Sequence, residues 1–176
     1  PDFKRVLSIQ RAVVHVFAPI AGLFLVTKGA DNFPEPPYIV TPNHSSYLDI
    51  IMMFALVPDN FVFMGKSELE SWPIFNIHFT SGQNISVNRR SARESSKSYE
   101  QAKSALKEKK VIVIFPEATI PTDTPNLKNF KSGAFKLAIE CEVPVVPVVF
   151  HENYMRLRSG GFFKAMASPG FVPAII

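Results

Sequence analysis

The chain of 176 residues has one cysteine, Cys141, which excludes an intrachain disulfide. That suits a reducing compartment. Glu140 and Glu142 flank the thiol, oppose its ionisation and make it less reactive, so Cys141 reads as a packing residue. No Gly-x-Ser-x-Gly turn occurs, so nothing supports an acyl-enzyme on an elbow serine. His15, His78 and His151 lack metal-ligand spacing with cysteine or carboxylate, and no metal site is expected. The basic residues form no concentrated stripe with interleaved aromatics, which argues against nucleic acid as a partner. The lysines between Lys103 and Lys110 read as a solvated helix face. Internal repeats and low-complexity tracts are absent.

Apolar residues are plentiful: 47% of the chain is hydrophobic and only 19% charged, which predicts a folded domain with a sizeable core. Sixteen Phe residues suit a large core or a surface that meets acyl chains. The net charge of +4 favours anionic partners such as phospholipid headgroups.

The apolar run from Ala12 to Val26 is interrupted by His15 and Pro19 and is short for a spanning helix, which needs roughly 20 residues. With Arg5 and Arg11 near its start and Lys28 at its end, residues 1–30 read as an amphipathic helix lying at a membrane surface; a buried core helix is the alternative. The Pro-rich stretch from Asp31 to Pro37 then opens the main domain, 31–176. Strands are expected at Tyr38–Thr41, Phe61–Met64, Ile85–Val87, Val111–Phe115 and Val143–Phe150. Helices are expected at Ser46–Leu56, Ala92–Lys109 and Gly133–Glu140. This alternation predicts an α/β fold with a mixed, largely parallel sheet flanked by helices. VIVIF and VPVVPVVF lack alternation, which suggests burial on both faces. The two prolines of the second place it at an edge or a bulge. Both chain ends read as cut, and FVPAII as the start of a strand.

Three segments could carry chemistry. In TPNHSSYLD, His44 and Asp49 are five positions apart, roughly 140° around an ideal helix. They meet only if His44 lies on the bend before the helix and Asp49 on its first turn. Asp49 then fixes the imidazole tautomer and His44 accepts a proton from a substrate hydroxyl. The same residues also form a capping-box pattern, in which Asp49 merely satisfies a backbone donor. In FPEAT, Glu117 and Thr119 follow a buried strand, at the end of the sheet where α/β proteins bind ligands. In VNRR, Arg89 and Arg90 precede a helix and could grip phosphate; plain surface arginines are the other reading.

His44-x-x-x-x-Asp49, VNR at 87–89, FPEAT at 115–119 and VPVVPV at 143–148, in this order, resemble the four sequence blocks of the 1-acyl-sn-glycerol-3-phosphate acyltransferase (PlsC-like) family. Lys66-Ser-Glu-Leu69 and Lys131-Ser-Gly133 also resemble stretches of it, and the likeness runs from Tyr38 to Phe150. It implies transfer of an acyl chain from acyl-CoA or acyl carrier protein to the sn-2 hydroxyl of a lysophospholipid, making phosphatidic acid at the cytoplasmic face of a membrane without metal or cofactor. It also implies His44 as base, Asp49 as its partner, and Arg89, Glu117, Thr119 and Lys66 as acceptor-binding residues. Backbone N–H groups at Ser45 and Ser46 are the expected oxyanion donors. The family usually has Gly where Ala118 stands and Asp where Asn88 stands, and its early Gly of the second block is either replaced by Asn84 or present as Gly82, displaced by one position. A different lysolipid or aminolipid acceptor, or a non-catalytic lipid-binding protein, are the alternative readings.

Overall fold

The computed structural model describes residues 3–66, 84–88, 91–157 and 169–176. Helix α1 (Phe3–Ile20) leads through Gly22, at φ 74°, into strand β1 (Leu23–Lys28). Strand β2 (Ile39–Pro42) precedes helix α2 (Tyr47–Leu56). Strands β3 (Phe61–Lys66) and β4 (Asn84–Val87) come next, then helix α3 (Ala92–Lys107) and strand β5 (Val111–Val113). Helix α4 (Gly133–Cys141), strand β6 (Val145–Phe150), the single-turn helix α5 (Asn153–Arg156) and strand β7 (Gly170–Ile175) complete the order.

The seven described strands form one sheet in the order β1-β7-β6-β2-β5-β3-β4. Every pairing is parallel except β6 with β7. The expected mixed, largely parallel sheet with flanking helices is therefore present. Its centre is β2 and β5, whose residues are all buried, as crossover helices on both faces require. On one face, Leu48, Met52 and Met53 of α2 and Leu7 and Val14 of α1 pack on Val40, Val113 and Val148. On the other, Ala102 and Leu106 of α3 and Leu137 and Ala138 of α4 pack on Ile39, Val62 and Ile112.

Three expectations change. The helix expected to residue 30 stops at Ile20, and Leu23–Lys28 is a strand in register with all six residues of β7. β6 is neither an edge strand nor buried on both faces. It lies between β7 and β2, and its exposure alternates. Pro147 is tolerated there because the carbonyl of its neighbour Val148 accepts from Asn43 N–H, on the β2 side. The ring nitrogen of Pro147 therefore faces β7, and the described pairing on that side involves only Val149 and Phe150. Finally, Arg11, expected to help hold the helix at a membrane surface, turns inward. It donates to the carbonyls of Val57 (2.8 Å) and Asp59 (2.5 Å), fastening α1 to the end of α2. Burial lowers the pKa of its guanidinium, and Asp59 opposes the shift.

Candidate active site

The site forms where β2 ends. Pro42 closes the strand, and Asn43 holds the chain to β6 through two side-chain bonds with the main chain of Phe150. Its Nδ2 donates to the Phe150 carbonyl at 3.0 Å and its Oδ1 accepts the Phe150 N–H at 2.7 Å. The side chain thus extends the β2–β6 ladder by one step past the proline. His44 and Ser45 make the bend, and Ser46 is the N-cap of α2, accepting from the N–H of Leu48 at 3.0 Å.

Asp49 is the third residue of α2 and closes the capping box with Ser46. It also reaches His44, so capping and histidine orientation are both functions of one carboxylate. Its Oδ2 accepts from Ser45 N–H (2.6 Å), Ser46 N–H (2.8 Å) and the Nδ1 of His44 (3.0 Å). Its Oδ1 accepts from Nδ2 of Asn153 at 2.7 Å. Asp49 is fully buried and His44 is 9% exposed. An ionised carboxylate only accepts, so Nδ1 carries the ring proton and Nε2 keeps its lone pair. Among the described residues Nε2 has no hydrogen-bond partner. The ring is stacked on Phe115, centroids 4.2 Å apart, and Phe115 lies against Phe63. Tautomer, ring plane and direction are therefore all fixed.

The third block is tied to the first from below. The main-chain N–H of His44 donates to Oε1 of Glu117, and that of Lys128 to Oε2, each at 2.8 Å. Glu117 is 1% exposed. Both of its oxygens are taken by backbone donors, and the side chain is shielded from solvent. Ala118, next in the chain, adopts φ 69°, the left-handed conformation glycine would adopt freely, and its N–H closes a turn on the Phe115 carbonyl. Alanine therefore occupies a left-handed turn position. Thr119 is exposed and accepts from Nζ of Lys128 at 3.0 Å. Ser45 and Ser46 N–H are engaged by Asp49, so the expected oxyanion donors are already occupied. The hydroxyl of Ser45 is buried without a partner among the described residues.

Lys66 ends β3, and Arg89 lies outside the described residues. A cavity of about 160 Å³ opens at the carboxyl ends of β3, β4 and β5, lined by Met64, Val87, Ile114, Phe115 and Lys131 among others. Phe115, whose ring supports His44, is part of its lining. Asn43 and Asn153 were not legible as site residues. Asn153 follows β6 by three positions, so the strand-end rule that singled out Glu117 was the signal that could have found it. Away from the site, Cys141 is a free thiol whose pKa is raised, first by burial and then by Glu140. No group of three His, Cys, Asp or Glu side chains suited to a metal occurs among the described residues.

A family model described as Acyltransferase matches residues 25–151. The chain belongs to that family. It is 31% identical over 144 residues to the 1-acyl-sn-glycerol-3-phosphate acyltransferase of Saccharomyces cerevisiae, covering 79% of this chain and 46% of that one. It is 32% identical over 145 residues to 1-acyl-sn-glycerol-3-phosphate acyltransferase alpha of Homo sapiens, covering 81% and 51%. The chain thus spans about half the length of the curated relatives it matches. The crystal structure of the 1-acyl-sn-glycerophosphate (LPA) acyltransferase, PlsC, from Thermotoga maritima superposes with a TM-score of 0.78 at 24% identity, covering 98% of this chain and 68% of that one. It shares the fold.

Proposed function

We propose that this chain transfers a fatty acyl group from a thioester, acyl-CoA or acyl carrier protein, to the sn-2 hydroxyl of 1-acyl-sn-glycerol-3-phosphate. One observation carries the reading: the bond from His44 Nδ1 to Asp49 Oδ2 at 3.0 Å, which leaves Nε2 as a free, oriented base. An alcohol is a weak nucleophile. Nε2 takes its proton as the oxygen attacks the thioester carbonyl, and Asp49 stabilises the imidazolium that forms. The tetrahedral intermediate collapses, the C–S bond breaks, and the imidazolium returns the proton to the departing sulfur. The products are an ester and a free thiol. A positioned base supplies about 10² to 10⁴-fold of the rate.

The relatives' names support lysophosphatidate as acceptor, and Arg89, Lys66 and Thr119 are the groups assigned to its phosphate. The outward stripe of α1 is assigned to a membrane surface; among the described residues no helix is long and apolar enough to cross a membrane. The test is turnover of the purified chain with lysophosphatidic acid and each donor, read by product mass. His44→Ala is expected to abolish acyl transfer with the fold retained. Wild-type turnover by that variant would refute the general-base assignment.

A further inference from the structure

We propose that Asn153 is a positioning residue of this reaction, which locks the Asp49 carboxylate so that Oδ2 faces the His44 ring. This rests on the general-base reading above. Asn153 is fully buried, and its Nδ2 donates to Asp49 Oδ1 at 2.7 Å. Three donors crowd Oδ2 of Asp49, whereas among the described residues Asn153 alone holds Oδ1. The χ2 torsion of aspartate is soft. A buried Oδ1 without a donor would pull the carboxylate round to share the three N–H groups, and the line from Oδ2 to Nδ1 would be lost.

The amide itself shows which bond matters. The carboxylate can only accept, so the end of Asn153 facing it must be the NH₂. The other end, Oδ1, is buried with no partner among the described residues. A buried acceptor left unmade costs about 1–3 kcal/mol. An amide placed only for packing would satisfy both ends; among the described residues this one leaves its acceptor without a partner and directs its donor to Asp49.

Asn153 is in turn held from two sides. Ser46 Oγ donates to the carbonyl of Leu157, which caps α5. Arg156 pairs with Glu152 at 2.9 Å and donates to the carbonyls of Pro169 and Phe171 at the start of β7, each at 3.2 Å. At Gly170 a Cβ would stand 2.5 Å from that guanidinium carbon, so the glycine is what lets Arg156 lie there. A line of contacts therefore runs from β7 through α5 to Asp49 and the imidazole.

The experiment is a double-mutant cycle on the whole chain, with lysophosphatidic acid and acyl-CoA, read by product mass. Asn153→Leu keeps the branch at Cγ and the number of side-chain heavy atoms, removes the donor and adds bulk. It is expected to lower kcat about 10- to 100-fold, the scale for outer groups that orient a functional side chain, with both KM values unchanged. In an Asp49→Asn background the same substitution is expected to have little further effect, because Asn153 acts through Asp49. Asn153→Ala is read in the same cycle should the leucine variant fail to fold. Wild-type kcat for Asn153→Leu, or an equal loss in both backgrounds, would overturn the assignment of Asn153 alone. Wild-type turnover by His44→Ala would instead overturn the base and leave Asn153 nothing to position.

Discussion

The main-chain N–H of His44 donates to Oε1 of Glu117 across 73 residues of sequence. This bond joins the first and third sequence blocks and gives the buried carboxylate a task other than substrate contact. Glu117→Gln tests the difference. Glutamine keeps one acceptor and turns an NH₂ toward either His44 N–H or Lys128 N–H, so one backbone donor is stranded. A loss of about 1–3 kcal/mol is expected in denaturant unfolding. The His44 bend shifts with it, and kcat is expected to fall roughly tenfold or more, with the acceptor KM little changed. A raised KM at unchanged kcat would place Glu117 at the acceptor site.

Ala118 stores strain at φ 69°, a conformation that costs an L-residue roughly 1–2 kcal/mol. Ala118→Gly removes that cost but makes the unfolded chain freer by about 0.4–1 kcal/mol. A small net stabilisation follows, seen as a rise in Tm. Ala118→Val, branched at Cβ, is expected to lower Tm. A lower Tm for the glycine variant would mean that the methyl group makes contacts that outweigh the backbone strain.

The central fold was legible because β2, α2, β3, α3 and β5 are local patterns with local causes: apolar runs, caps and good helix formers. His44 and Asp49 were legible for the same reason, since the strand–bend–helix lies within nine residues of sequence. What could not be read was whatever depends on partners far along the chain. Glu117 looked like a polar group at a sheet edge because its two backbone donors lie 73 residues upstream and 11 residues downstream. Asn153 reaches Asp49 over 104 residues. Pro147 suggested an edge strand because the sequence does not say which neighbour its nitrogen faces.

Helices α3 and α4 are linked by Glu140, which accepts from Tyr99 at 2.8 Å and from Lys103. Lys103 lowers the Glu140 pKa, helped by Tyr99; the tyrosine pKa is pushed up to about 12, first by burial and then by Glu140. A depressed carboxylate adds stability above its unfolded pKa and loses it as pH falls through the folded value. The difference in Tm between the wild type and Glu140→Gln is therefore expected to be constant from neutral pH down to about 4.5 and to shrink below it. A difference that stays constant to pH 2 would show that the carboxylate's charge does not matter. Glu140 itself is exposed, so the effect should be small and salt-sensitive.

Helix α1 has two unlike faces. Leu7, Val14 and the inward Arg11 fix it to the core, while Ile9, Val13, Val16, Phe17 and Ile20 form an outward stripe at helical spacing, each between 46% and 75% exposed. An apolar stripe on a helix already anchored from behind is suited to lie in a lipid headgroup layer. Fully burying each such side chain stabilises by about 1.5–3 kcal/mol, so losing two should be readily measured. Phe17→Ser with Ile20→Ser is expected to weaken binding to phosphatidylcholine–phosphatidylglycerol vesicles at least tenfold by sedimentation, using partial burial as the guide. Because neither side chain packs in the core, Tm should not fall, and turnover on micellar lysophosphatidic acid should be kept. Unchanged vesicle binding would remove α1 as the lipid-facing element.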